Sequence, residues 1–296
     1  LEVRVDVVSG RLPAIYENDL LDGPNANRYT GLHIRDSGLL AWYIGSPMTA
    51  SLSDIAYKHI QHKLLSAAIP VGAKVSEHAL SQELGISRTP VREAIRRLEL
   101  EGLLRQVASS GTYVALPDRT ELVDVYEVRM ALEKMAIRKA TRRMRPRDVL
   151  ELGRFCQQML EAVRVFRDSG QSVMDGPLLR QYLTADLAFH LLLLRTAGNR
   201  YAAKILGDVH MRTAMFGYRS HERDLHHVAR IWLYHARVAR AVRQRDGRTA
   251  EYWLERHIRC SLRGALAAFD ARRGAPPAPP PADFAEAMES LIAQLG

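Results

Sequence analysis

Two sets of side chains in this 296-residue chain have the types and spacing to do chemistry. Asp186 and His190 lie four apart in TADLAFH, which places a carboxylate and an imidazole on one face of one helix. His235 follows in IWLYHARVARAV and His257 in YWLERHIRC, each flanked by apolar positions at helical spacing. Three inward imidazoles and one carboxylate on three helices could converge on a divalent cation. The donor types suit zinc, nickel, manganese or iron and do not choose between them. A lone inward histidine is more often a hydrogen-bonded core residue. His210, His221, His226 and His227 also compete for any such role, although the HERDLHH run reads as a polar loop and helix start.

The second set is cationic. Arg88, Arg92 and Arg96 recur every four residues in SRTPVREAIRRL and so share one helix face, with Thr89 at the helix start. A guanidinium donates two parallel bonds to a phosphate or to the O6/N7 edge of guanine. The bland alternative is a solvated face, with these arginines paired to Glu93 and Glu99. The elements around them favour reading of the DNA major groove. A first helix is expected at Ser53–Ala68, with an apolar stripe of Ile55, Ala56, Ile60, Leu64, Leu65 and Ala68. A second runs from Ser76, a capping residue, to Leu84, with Ala79, Leu80 and Leu84 inward and Gly85 as a left-handed stop. The third follows Ser87 and buries Val91, Ile95 and Leu98, with Pro90 in its first turn, where no intrahelical N–H is needed. Leu103–Val107 and Thr112–Leu116 read as strands joined by the loop Ala108–Gly111, a wing whose Gly111 can approach phosphate.

From Asp118 to Arg272 the pattern is helical throughout. Helices are expected at Thr120–Met144, Arg147–Arg167, Gly176–Thr196, Arg200–Tyr218, Leu225–Arg245 and Arg248–Ala271, separated by Pro, Gly, Ser and Asn breakers. Such helices make a bundle that can enclose a ligand. The fold class is therefore mainly α: an N-terminal winged helix-turn-helix followed by an all-helical effector bundle. The expected divisions are an extension of unknown role at 1–48, a DNA-binding head at 49–117, the effector domain at 118–272 and a Pro-rich tail with a short helix at 273–296.

The net charge of +9 favours a polyanionic partner. The cysteines Cys156 and Cys260 stand far apart without a disulfide framework or a nucleophile signature, which suggests thiols in a reducing compartment. With neither a membrane-length apolar run nor a signal pattern read in it, the chain is expected to be cytoplasmic.

The stretch Val75–Ala115, with SRTPVREAIRRLELEGLL at its centre and SSGTYVA at the wing, resembles the GntR family of bacterial transcription regulators. The resemblance implies operator contacts from Arg88, Thr89, Arg92 and Gly111. His78 stands where members often carry an arginine. The span Leu122–Asp270 resembles the ligand-binding helical (FCD) domain of the FadR-type subfamily in EVRMALEKMAIRKA, DLAFHLLLLRTAGN and YHARVARAVRQRDGRTAEYWLERHI. This implies a metal held by Asp186, His190, His235 and His257, with zinc the first expectation, and a small carboxylic acid as effector. Members that bind an acyl-thioester lack the metal, and the full ligand set here points away from them. Arg129 matches a pocket arginine that could clamp a carboxylate, or it pairs with Glu133 four residues on. Asn199 lines the pocket or caps a turn. The expected protein is thus a homodimeric, ligand-responsive DNA-binding regulator, a repressor, with no catalysis. The competing readings are a metal-dependent hydrolase or lyase fused to a DNA-binding head, and a direct metal sensor.

Overall fold

The computed structural model describes residues 51–66, 68–116, 118–217, 224–271 and 284–293. The N-terminal extension and the Pro-rich run singled out in the sequence lie outside the described residues. The described residues form ten helices and three short strands.

The first part contains α1 (Leu52–Leu65), β1 (Lys74–Val75), α2 (Glu77–Leu84), α3 (Arg88–Leu100), β2 (Leu104–Val107) and β3 (Gly111–Val114). The strands form an antiparallel sheet in the order β1-β3-β2. Ala56, Ile60, Leu64 and Leu65 of α1 bury their side chains with Val91, Ala94, Ile95 and Leu98 of α3, and the two helices pack directly on each other. Ser76 caps α2 by accepting from the Ala79 N–H, and Gly85 ends it at φ +65°. That left-handed residue reverses the chain, and its N–H returns to the carbonyls of Gln82 and Ser81. Within this unit Leu80 is buried as expected, whereas Ala79 and Ala68 are exposed and Ile55 is 44% exposed. An eight-residue helix offers a narrow inward face, which Leu80 and Ser81 already occupy.

The bundle comprises α4 (Arg119–Arg143), α5 (Pro146–Ser169), α6 (Gly176–Ala197), α7 (Arg200–Gly217), α8 (Leu225–Arg243) and α9 (Gly247–Ala271). Asp118 caps α4 by accepting from the Glu121 N–H, and Asp224 caps α8 by accepting from the His227 N–H. α6 is the central element. Leu183, Leu187, Phe189, Leu191, Leu192, Leu193 and Leu194 are all buried, so it is apolar around most of its circumference. It packs on α4, α5 and α7, while α8 and α9 pair across from it. The last helix, α10 (Phe284–Ala293), docks on α6 and α1 and buries Phe284 and Met288. Among the described residues no helix is long and apolar enough to cross a membrane.

Candidate functional site

The exposed face of α3 carries the cationic set. Arg88, Thr89, Arg92 and Arg96 are all exposed, on the side opposite Val91, Ala94, Ile95 and Leu98. Two of these arginines are braced from α2. The Arg92 guanidinium grips the Glu77 carboxylate through Nε and Nη2, the closest contact being 3.0 Å. Arg88 reaches His78 Nδ1 at 3.0 Å. The wing is tied to the same helix by Thr112 Oγ1, which donates to Glu99 Oε1 at 3.1 Å. Gly111 holds φ +119°, and a Cβ there would stand 2.8 Å from Lys74 Cε. The head therefore presents a helix and a glycine-tipped hairpin on rigid backing, with side chains suited to phosphates and base edges.

The second site lies deep in the bundle. α6 brings Asp186 and His190, α8 brings His235, and α9 brings His257; all four are buried and offer ligand atoms within 4.8 Å of one another. The hydrogen-bond partners assign the tautomers. His190 Nδ1 faces the acceptor-only carboxylate of Glu133 at 2.6 Å, so it carries the proton and leaves a lone pair on Nε2. His235 Nδ1 donates to the Ile231 carbonyl at 2.9 Å, which leaves a lone pair on its Nε2. That Nε2 stands 3.3 Å from His190 Nε2 and 3.2 Å from Asp186 Oδ1. His257 Nε2 lies 3.1 Å from His190 Nε2.

Lone pairs from two imidazoles and a carboxylate thus point at one another, an arrangement that a cation relieves. Two imidazole nitrogens, a carboxylate oxygen and a third histidine make a donor set that fits a borderline divalent ion. The Glu133 carboxylate and the Ile231 carbonyl are the outer partners that orient such ligands. Burial pushes the His235 imidazole down to about 4 and holds His257 well below the ordinary histidine value, so both rest in the neutral, ligating form.

Sequence reasoning named the four residues of the cluster but considered Glu133 only as a partner for Arg129. The structure makes it a hub. Burial acts to raise its pKa, yet His190 and Arg129 outweigh that and keep it well below the usual carboxylate range. Arg129 Nε donates to Glu133 Oε1 at 2.7 Å, and its Nη2 lies 3.3 Å from His190 Nε2. The pairing with Glu133 and a place beside the histidine cluster therefore hold together. His210, on α7, is 2% exposed and also joins the hub, with Nε2 3.4 Å from Glu133 Oε1. Asn199 accepts from the Ala202 N–H at 3.2 Å, a cap at the start of α7. Cys156 and Cys260 are free and buried, and burial pushes the Cys156 thiol up, which disfavours its thiolate.

A short winged head followed by a helical bundle is also what known proteins share with this chain. Residues 52–114 match the bacterial regulatory proteins of the gntR family, and residues 124–259 match the FCD domain. The Nta operon transcriptional regulator of Aminobacter aminovorans is 30% identical over 162 residues, 52% of this chain and 71% of that protein. The chain belongs to the GntR family. Within that family, the "Probable D-xylose utilization operon transcriptional repressor" of Paenarthrobacter nicotinovorans is 31% identical over 46% of this chain and 55% of its own length. This chain therefore spans about half of that relative. The solved structure of E. coli McbR/YncC superposes with a TM-score of 0.59 over 73% of this chain and 98% of its own, at 19% identity, which shows the shared fold. As a GntR regulator with an FCD domain, the protein is a DNA-binding transcriptional regulator and not an enzyme.

Proposed function

We propose that this GntR regulator is a cytoplasmic homodimeric repressor of the FadR type whose bundle holds a divalent metal and a small carboxylic acid. The single observation that carries the metal reading is the convergence of Asp186 Oδ1 and the Nε2 atoms of His190 and His235. Asp186, His190, His235 and His257 would hold the ion, with zinc the first candidate. A divalent cation there supplies a Lewis-acidic anchor for an effector carboxylate. Arg129 stands beside the cluster with a planar fork that suits the same carboxylate. The domain limits proposed are 49–117 for the head and 118–272 for the effector bundle.

Each head would place α3 in the major groove. Arg88, Thr89, Arg92 and Arg96 would contact bases and phosphates, and Gly111 would bring the wing backbone against the sugar-phosphate chain. Two copies fit a palindromic operator, one half-site each. A physical link between bundle and head supports ligand control. Arg212 of α7 donates to Glu121 at 2.8 Å and also to the main-chain carbonyl of Glu101, the C-cap of α3. α7 also carries His210, so one helix touches both the buried hub and the end of the recognition helix. An acid that favours one arrangement of α7 would lower operator affinity by its difference in affinity for the two arrangements.

The test is metal content of gently purified protein, followed by operator binding with and without a panel of small acids. About one metal per chain, lost in His235→Ala while the protein stays folded, supports the site. Operator release by an acid supports the repressor reading. Operator release by added metal alone would make the ion itself the signal. Metal content unchanged by His235→Ala, or operator binding that no acid alters, would overturn the corresponding part.

A further inference from the structure

Lys74 is a cation on the head that sequence reasoning did not single out. Along β1 the faces alternate, with Val75 buried under the sheet and Lys74 exposed on its outer side. In the register of the sheet Lys74 stands opposite Tyr113, and Gly111 lies two places closer to the hairpin turn on β3. The lysine leans along that diagonal. A Cβ built on Gly111 would lie 2.8 Å from Lys74 Cε and 3.4 Å from its Nζ. The stem therefore crosses the bare face of the glycine and carries the ammonium to the turn end of the wing. On its other side, Val75 leads into Ser76, the N-cap of α2, and Glu77 just beyond holds the Arg92 guanidinium of α3. Lys74 thus joins the wing glycine to the cationic face of the recognition helix. Among the described residues no carboxylate or other acceptor engages the Lys74 ammonium, whereas Arg92 is paired with Glu77, Arg97 with Asp54 and Lys63 with Glu83.

We propose that Lys74 is a phosphate-binding residue of the head, seated by Gly111 and aimed at the DNA backbone between the groove entered by α3 and the groove met by the wing. The inference rests on the docking of the head proposed above and adds a residue to it. An ammonium is a compact charge with rotatable donors, which suits a phosphate oxygen on any sequence and lacks the planar fork that reads guanine. Lys74 accordingly supplies affinity and register rather than sequence choice. Gly111 gains a second role, since the side chain it lacks is what leaves room for the lysine stem.

The experiment uses two duplexes: one that the wild-type protein selects from a random-sequence library, and a scrambled duplex of the same length and composition. The full chain and its variants Lys74→Met, Lys74→Arg and Arg88→Ala are titrated on both across a range of salt. Lys74→Met keeps the stem and removes the charge. It weakens both duplexes by the same factor, about three- to tenfold per head at about 0.1 M salt, and lowers the slope of log affinity against log salt by about 1 per head. Lys74→Arg keeps the charge and the wild-type slope. Gly111→Ala drives a Cβ into the stem and costs less affinity in the Lys74→Met background than in the wild type. If Arg88→Ala weakens the selected duplex while Lys74→Met leaves affinity and slope unchanged, the assignment of Lys74 alone is overturned. If neither variant changes binding, the proposed docking of the head falls, and this inference with it. A loss in Lys74→Met confined to the selected duplex would mark a base contact and overturn the phosphate assignment. Equal losses from Gly111→Ala in both backgrounds would overturn the seating by glycine.

Discussion

Glu133 is the residue whose replacement should say most about the buried cluster. It fixes the His190 ring and balances Arg129 in a place with almost no solvent. Glu133→Gln keeps the shape but lets the His190 tautomer exchange. Metal affinity, read by chelator competition, should fall about 10- to 100-fold, as expected for loss of an outer partner. An unchanged affinity would mean that His190 is oriented by packing alone. On the head, Arg88→Ala or Arg92→Ala should weaken the cognate operator about ten- to a hundredfold if the side chain reads a base. Equal weakening on every sequence, with a flatter salt dependence, would instead mark a phosphate contact. The Asp186–His190 pair and the cationic face were legible from spacing, because i, i+4 residues share a helix face in any context, whereas His235 and His257 were read from their apolar flanks and joined to that pair by the family resemblance. Glu133 and His210 were not. Their placement arises from helices meeting at sequence separations of 57 and 77 residues, and no local pattern records that.

At the scale of elements, α7 carries the clearest expectation. Arg212→Ala removes the grip on the head at Glu101, together with the bond to Glu121 at the start of α4, and touches no residue of the buried histidine cluster. Operator binding without effector should change little, while the effector-induced loss of affinity shrinks; a full response in this variant would exclude α7 as the coupling element. Gly102 offers a second route to the same state. It holds φ +68°, and a Cβ there would run into the Arg212 guanidinium. Gly102→Ala should therefore displace Arg212 and cost about 1 kcal/mol or more in backbone strain, measured by denaturant unfolding. Helix positions were readable to within a few residues because caps and breakers are local signals, as Ser76, Gly85 and Asp118 illustrate. β1 was not read, since two residues carry no period. The docking of α10 on α6 was also open, because an amphipathic stripe does not name the surface that will cover it.

For the whole molecule, removing the metal should be visible as lost stability. Ligands that bind only the folded state stabilise it by mass action. Extended dialysis against a strong chelator should lower the melting temperature, and added zinc should restore it in the wild type but not in His257→Ala. A melting temperature indifferent to the chelator would make the cluster an ordinary polar core. The two-part architecture was evident from the change of pattern near Asp118, where a hairpin gives way to a long helical run.

The clasp between Arg92 and Glu77 carries an implication for how such a protein would find its target on a chromosome. While the clasp holds, one of the cations facing DNA is neutralised by its own protein, so fewer counterions are shed on random sequence and the hold there is looser. A looser hold shortens each pause on the wrong site and lets the protein move on. A sequence that offers the guanidinium a better pair of acceptors would favour the open clasp. Glu77→Gln should then tighten binding to random DNA more than to the operator and steepen its salt dependence. The variant would hold DNA more firmly and yet take longer to reach the place it regulates.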